Sequence, residues 1–136
     1  MSLCLKLTSG AACAQRSATA CTQPPQAVTH CHCSQCQKSH GTAFAAYGAV
    51  PRHDLQITAG DTDLRAYASS AAVWRQFCGH CGSSLFWSRT QGDWSDWICI
   101  ALGTLDSAFM PQQQKHVHVA SKPTWSNFGA ACAHGE

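Results

Sequence analysis

Three cysteines fall within six residues at Cys31-His32-Cys33-Ser34-Gln35-Cys36, spaced C-x-C-x-x-C. No other stretch limits the chain's possible folds as strongly. A disulfide would join two of these sulfurs and strand the third, whereas a soft divalent metal takes all three. Extended backbone directs side chains at i and i+2 to one face, and the two-residue turn that follows brings in the third thiol. Zn²⁺ accepts thiolates readily and is usually four-coordinate. Three local donors therefore leave one position to fill. A fourth protein ligand closes the site and makes it structural; a substrate position leaves it reactive. Spacing alone leans to the closed site, the commoner use of clustered cysteines.

Ten cysteines in 136 residues would suggest disulfides in a small secreted chain. The N-terminus, however, carries no apolar run long enough for the centre of a signal peptide. No segment approaches ~20 consecutive apolar residues, so no membrane span is expected. Metal-bound thiols in a reducing cytoplasm are the consistent expectation. The formal net charge is +2, without a Lys/Arg run, which argues against a nucleic-acid partner. Hydrophobic residues make up 45% of the chain, enough for a core, and the length fits a single domain over residues 1–136.

Around the cysteines the chain reads as short strands divided by turns. Leu3, Leu5 and Leu7 alternate with Cys4 and Lys6. Residues 10–22 show no period, and Pro24-Pro25 ends them. Gly41 to Val50 reads as a buried strand or a strand with a bulge, and Pro51 to Asp54 as a turn. Leu55–Thr58 and Leu64–Tyr67 are short strands on either side of Gly60-Asp61. Val73 to Cys78 alternates, Leu85-Phe86-Trp87 follows, and Gln91-Gly92-Asp93 turns. Trp97 to Leu102 is nearly all apolar and predicts a strand buried on both faces. Gly103 to Asp106 turns again, and His116 to Val119 alternates as the last strand. Short strands, regular turn signals and no long helical period predict a mainly β, antiparallel domain.

Cys78-Gly79-His80-Cys81-Gly82 has the form of a zinc knuckle, its glycines admitting the positive-φ backbone that aims amide N–H groups at sulfur. Two thiols here and three in the first cluster make five, one too many for tetrahedral zinc, so two separate sites are expected. Cys4, Cys13, Cys21 and His80 are candidates to complete the second. Cys99 lies in the most apolar strand and reads as a packed core thiol; Cys132 reads as uninvolved.

The segments CHCSQCQKSHG (31–41), Pro51, YASS (67–70), RQFCGHCGSSLFW (75–87), GTLD (103–106) and HVHVASKPTW (116–125), in this order, resemble the family of glutathione-dependent formaldehyde-activating enzymes, whose relatives include centromere protein V. The resemblance covers about residues 28–125. It implies a small zinc-binding antiparallel β-tent fold with two zinc ions. One, catalytic, would be held by Cys31, Cys33 and Cys36. The other, structural, would be held by Cys78 and Cys81 with an N-terminal C-x-C pair. There the chain departs from the family pattern: the two N-terminal cysteines fall on Ala12 and Ala14, with Cys13 between them. A one-residue shift along a strand turns a side chain to the opposite face, so Cys13 serves as a ligand only through a slip or bulge. Three readings stay open: the second zinc is lost, Cys13 completes it with Cys21 or a histidine, or residues 1–27 derive from a misread frame.

The activity implied by the resemblance is formation of S-(hydroxymethyl)glutathione from glutathione and formaldehyde, a carbon–sulfur lyase reaction read backwards that needs no redox cofactor. Zinc eases the loss of a thiol proton, which free thiols release only at a pH of about 8.5. His30, His32 and His40 flank the cluster; they either shuttle a proton or sit at the surface or against sulfur. For the glutathione carboxylates, Lys38, Arg75 and Lys122 are the candidate cations, each also readable as a surface charge. Trp87 and Trp97 read as core, Trp125 as core or as the cover of a site, and Asp106 as a turn former. Two alternatives stand beside the enzyme: a non-catalytic zinc-stabilised protein-binding module, and a related lyase acting on another thiol adduct.

Overall fold

The alternating runs pair into two sheets. The computed structural model describes residues 5–8, 18–21, 23–25 and 27–127. In chain order the elements are β1 (Leu5–Thr8), β2 (Ala18–Cys21), β3 (Ala27–Cys31), α1 (Ser34–His40), β4 (Ala45–Pro51), β5 (Leu55–Ala59), β6 (Leu64–Ser70), β7 (Val73–Cys78), β8 (Ser84–Arg89), β9 (Trp97–Ala101) and β10 (Gln113–Val117). Short 3-10 turns lie at Arg52–Asp54, Asp61–Asp63, Leu102–Thr104 and Val119–Ser121. Seven strands in the order β10-β3-β4-β9-β8-β7-β6 form the main sheet, and β1-β2-β5 form a smaller one. The mainly β expectation holds.

All strand pairs are antiparallel among the described residues except one: β10 runs parallel to β3, from Gln113 beside Ala27 to Val117 beside Cys31. The last strand thus begins and ends earlier than the alternation over His116–Val119 suggests. His118 leaves it with φ of +56°, a left-handed conformation that breaks the ladder. The parallel pairing ties the C-terminal part of the chain to the end of β3, where the cysteine cluster starts.

β9 lies between β4 and β8. On one of its faces Ile98 and Ile100 pack with Val50, Cys78, Leu85 and Phe86. Ile100 is 1% exposed, and burial of such a side chain stabilises the fold by about 1.5–3 kcal/mol. On the other face Ala101 packs with Cys36, Ala45 and Tyr47. Trp97 and Cys99 share that second face but are only half-buried, because a cavity opens over them. The strand is therefore buried fully on one face and in part on the other.

Residues facing each other across paired strands share a face. One row crosses the sheet as Ala49, Cys99, Trp87, Arg75 and Tyr67. Two residues along β4, a parallel row runs Lys115, Thr29, Tyr47 and Ala101. Cys31 follows Thr29 by two and joins this face. His30 and His116, out of step by one, face the other side.

The one regular α-helix among the described residues, α1, arises where the sequence suggests only a turn. Cys33 caps its start with extended backbone and accepts the Cys36 N–H at 3.3 Å. Gly41 ends it in the left-handed region, φ +65°, donating its N–H to the Gln37 carbonyl at 2.7 Å. A polar cap at the start and glycine at the end are the usual helix boundaries; in α1 sulfur takes the place of the usual oxygen.

Candidate metal centre and its cavity

Cys31 closes β3, Cys33 caps α1, and Cys36 lies in the first turn of the helix. Strand end, cap and first turn bring the three Sγ atoms within 4.8 Å of one another. Among the described residues this is the one group of three or more metal-ligating side chains. None of the described cysteines is in a disulfide. A convergent, partly buried set of three soft donors fits a soft divalent ion such as Zn²⁺.

As free thiols the three differ. Burial pushes the Cys31 pKa up to about 12, the Cys33 backbone offsets part of this, and Cys36 raises it further. Burial also raises Cys36, opposed by the hydrogen bond from Arg75. Cys33 moves the other way: burial pushes it up, but the Cys36 N–H, the neighbouring thiols and the Gln35 N–H more than reverse this. The helix N-terminus therefore favours Cys33 as the first thiolate, since its N–H groups stabilise negative charge.

A cavity of about 600 Å³ opens over the cluster, lined by the three cysteines together with Tyr47, Arg75, Trp87, Trp97, Cys99 and Lys115. A second, of about 470 Å³, lies beside it and is lined by Lys38, His40, Tyr67 and Ser69; Gln35, Tyr47 and Arg75 line both. Arg75 is no surface charge. Its Nη2 and Nη1 lie 3.6 and 3.7 Å from Cys36 Sγ, and Nε donates to Ser69 Oγ at 3.1 Å. Nη1 also reaches Tyr47 Oη at 3.4 Å, and Tyr47 Oη is 2.7 Å from His40 Nε2. Lys38 is exposed and lines the second cavity, whereas Lys122 is exposed and lines neither. Arg89 and Lys115 also line the larger cavity, cations that single-residue reading of the sequence overlooks.

The histidines divide by face. His32 is fully buried, its Nε2 3.0 Å from His116 Nδ1 and its ring 4.8 Å from that of Phe44. His30 stacks on His116 at 4.5 Å. Both therefore depart from the expectation of a surface position or a sulfur contact, because alternation turns them away from the cysteines. Burial lowers the pKa of His32, as do His30 and Lys122. The third flanking histidine, His40, lines the second cavity, and burial followed by the Arg75 charge lowers its pKa. Trp87 and Trp97, expected in the core, are half-buried cavity walls, and Trp125 is 68% exposed. Cys99 is half-buried against the apolar group of Cys36, Ala45, Tyr47 and Ala101, and burial raises its pKa to about 11.

At the knuckle, Cys78 is fully buried and Cys81 exposed, with Cys81 Sγ 3.1 Å from Ser83 Oγ. Gly82 has φ of +81° and donates its N–H to the Cys78 carbonyl at 2.7 Å. Gly79 is not among the positive-φ glycines. It is small for a different reason: a Cβ there would lie 2.7 Å from Arg65 Cγ and 3.0 Å from the Asp63 carbonyl. Cys13, with Ala12 and Ala14, lies outside the described residues; Cys21 is buried in β2.

A family model described as glutathione-dependent formaldehyde-activating enzyme matches residues 6–121. A Phaeosphaeria nodorum protein is 43% identical over 56 residues, covering 41% of this chain and 30% of the relative. An Aspergillus terreus protein is 35% identical over 75 residues, covering 54% and 39%. Both carry the family's name, and in each the match spans well under half of the relative's length. A crystal structure of a Rhodobacter sphaeroides protein superposes with a TM-score of 0.59 at 15% identity, over 79% of this chain and 98% of that one. The last is a likeness of fold. No helix among the described residues is long and apolar enough to cross a membrane.

Proposed function

The chain belongs to the family of glutathione-dependent formaldehyde-activating enzymes, and from that premise we propose that it joins glutathione to formaldehyde as S-(hydroxymethyl)glutathione, a carbon–sulfur lyase reaction run towards the adduct. The observation that carries this reading is the convergence of the Cys31, Cys33 and Cys36 sulfurs in the wall of a cavity of about 600 Å³. These three residues would hold a catalytic Zn²⁺. When bound, it supplies a positive centre that stabilises a thiolate at neutral pH. Cys78 and Cys81 would serve a structural zinc, with Cys13 as a candidate for a further ligand. Unoxidised clustered thiols suit a reducing cytoplasm.

The chemistry balances without an oxidant or reductant. The glutathione sulfur adds to the carbonyl carbon, a carbon–sulfur bond forms, and the carbonyl π pair moves to oxygen. That oxygen takes up a proton equivalent to the one the thiol loses. Tyr47 Oη lies on the cavity wall and is hydrogen-bonded to His40 Nε2. Burial raises the Tyr47 pKa, so its hydroxyl stays protonated and can donate a hydrogen bond to the carbonyl oxygen as negative charge builds there, while His40 orients it. Trp87 and Trp97 shield the cavity from water, and Arg89 and Lys115 offer cations to the glutathione carboxylates.

Metal analysis of protein purified without chelator should find zinc, and exchange NMR should show faster interconversion of glutathione, formaldehyde and adduct than in buffer. Protein that holds zinc yet leaves exchange at the uncatalysed rate would overturn the enzyme reading in favour of a zinc-stabilised scaffold. A related lyase on another adduct has one observation in its favour: Trp87, Trp94 and Trp97 all line the cavity, more apolar wall than a one-carbon aldehyde needs. Faster turnover of a bulkier apolar aldehyde than of formaldehyde would select that reading.

A further inference from the structure

Arg75 reaches the cysteine cluster because β7 pairs in register with β8. Facing Trp87, it takes its place in the row that also holds Cys99. Both terminal nitrogens of its guanidinium lie beside a single sulfur, Cys36 Sγ, at 3.6 and 3.7 Å. Ser69 Oγ holds Nε at 3.1 Å, and Tyr47 Oη lies 3.4 Å from Nη1. The side chain is thus fixed by protein partners on several sides, and its aim does not depend on a bound molecule. Among the described residues no carboxylate lies within ion-pair distance of it. Of the three cysteines, Cys36 is the one its guanidinium meets.

Three thiolates around a divalent ion leave one net negative charge in a half-buried site. Such a charge is costly there unless it is compensated. We propose that Arg75 is a positioning residue for the metal: its guanidinium, set against Cys36 Sγ, compensates the net negative charge of a divalent ion held by three thiolates, so that this loop binds such an ion without a fourth protein ligand. The proposal rests on the reading that Cys31, Cys33 and Cys36 hold the metal, and adds to it the group outside the ligand set that makes three sulfurs sufficient. Lysine is a poor substitute. Its ammonium is a point charge, whereas the planar fork of arginine spans Cys36, Ser69 and Tyr47 together.

The test uses the full chain, stripped of metal and titrated with Co²⁺ in the absence of glutathione. Thiolate-to-cobalt absorption reports occupancy, and a chromophoric chelator competing for Zn²⁺ reports affinity. Arg75→Gln should weaken both metals about ten- to hundred-fold, the range for removing a group that supports a ligand, and should shift the thiolate band. Arg75→Lys should recover part of the affinity. Ser69→Ala, which releases Nε but keeps the cation, should lose affinity in the same direction by less, and it reads the effect even where Arg75→Gln folds poorly. Arg52→Gln, at an exposed arginine whose Nε donates to the Ser95 carbonyl, should change nothing. Unchanged affinity and an unshifted band in folded Arg75→Gln, or in Ser69→Ala where Arg75→Gln folds poorly, would overturn the proposal while leaving the metal reading intact. Absence of any thiolate band in the wild-type chain would overturn both.

Discussion

Cys33 Sγ accepts the backbone N–H of Cys36 at 3.3 Å, so the atom that caps α1 is also one of the three clustered sulfurs. The start of the helix and the candidate metal centre share an atom. The residue that carries the third sulfur, Cys36, is tied through its backbone to the second.

That sharing separates two substitutions that both remove the thiol. Cys33→Ser keeps a good capping oxygen, whereas Cys33→Ala removes the cap. In metal-free protein the alanine variant should be less stable than the serine variant by about 1 kcal/mol, the usual worth of an N-cap. Both should lose metal capture. Urea denaturation of the stripped variants reads the difference, and equal midpoints would show that the sulfur does not cap the helix.

Gly48 marks a close approach on the face opposite the cysteines. A Cβ there would lie 2.7 Å from Pro25 Cβ, 2.8 Å from Pro25 Cγ and 2.9 Å from Leu102 Cδ2. Pro25 is itself fully buried, so it has nowhere to go. Gly48→Ala should cost about 1–3 kcal/mol, the range for overpacking, and Pro25→Gly in that background should recover part of it. A denaturation midpoint equal to that of the wild type would contradict the contact.

His40 makes stability depend on pH. Burial, and then the Arg75 charge, lower its pKa below the ordinary 6.5, so the unfolded chain binds a proton more readily than the folded one. The stabilising contribution is therefore full above about 6.5 and is lost as pH falls through the folded value. Metal-free wild-type protein should lose more stability between pH 7.5 and 5.5 than His40→Gln does. Parallel pH profiles for the two would remove His40 from the account.

The strands were legible because their residues alternate and their turns are marked: Val73–Cys78 and Gly92 behave as their residue types require. The thiol cluster was legible from spacing, which depends only on neighbours in sequence. The helix was not, since SQCQKSH carries no apolar period and its cap is a sulfur. Arg75 was not, because 39 residues separate it from Cys36 and only the pairing of β7 with β8 brings it to the cluster face. The histidines carried a usable signal. If Cys31 and Cys33 share a face by i, i+2 spacing, His30 and His32 must share the other, and the contacts with His116 and Phe44 lie there.

The knuckle gives a last prediction, in which burial and metal binding leave different signatures. Cys78 is 0% exposed and packs with Val50, Leu85 and Ile100, while Cys81 is exposed. In stripped protein, Cys78→Ser sets a hydroxyl into an apolar core and should cost about 1–3 kcal/mol. Cys81→Ser at the surface should stay within about 0.5 kcal/mol. A metal held by both thiols changes that pattern on loading, because stabilisation by a bound ion requires the whole ligand set. Zinc should then raise the wild-type midpoint while neither variant shares fully in the rise. Guanidinium denaturation of each protein with and without zinc gives all the differences. If Cys81→Ser gains as much from zinc as the wild type, Cys81 is not a ligand; if Cys78→Ser does so too, the role of Cys78 is core packing.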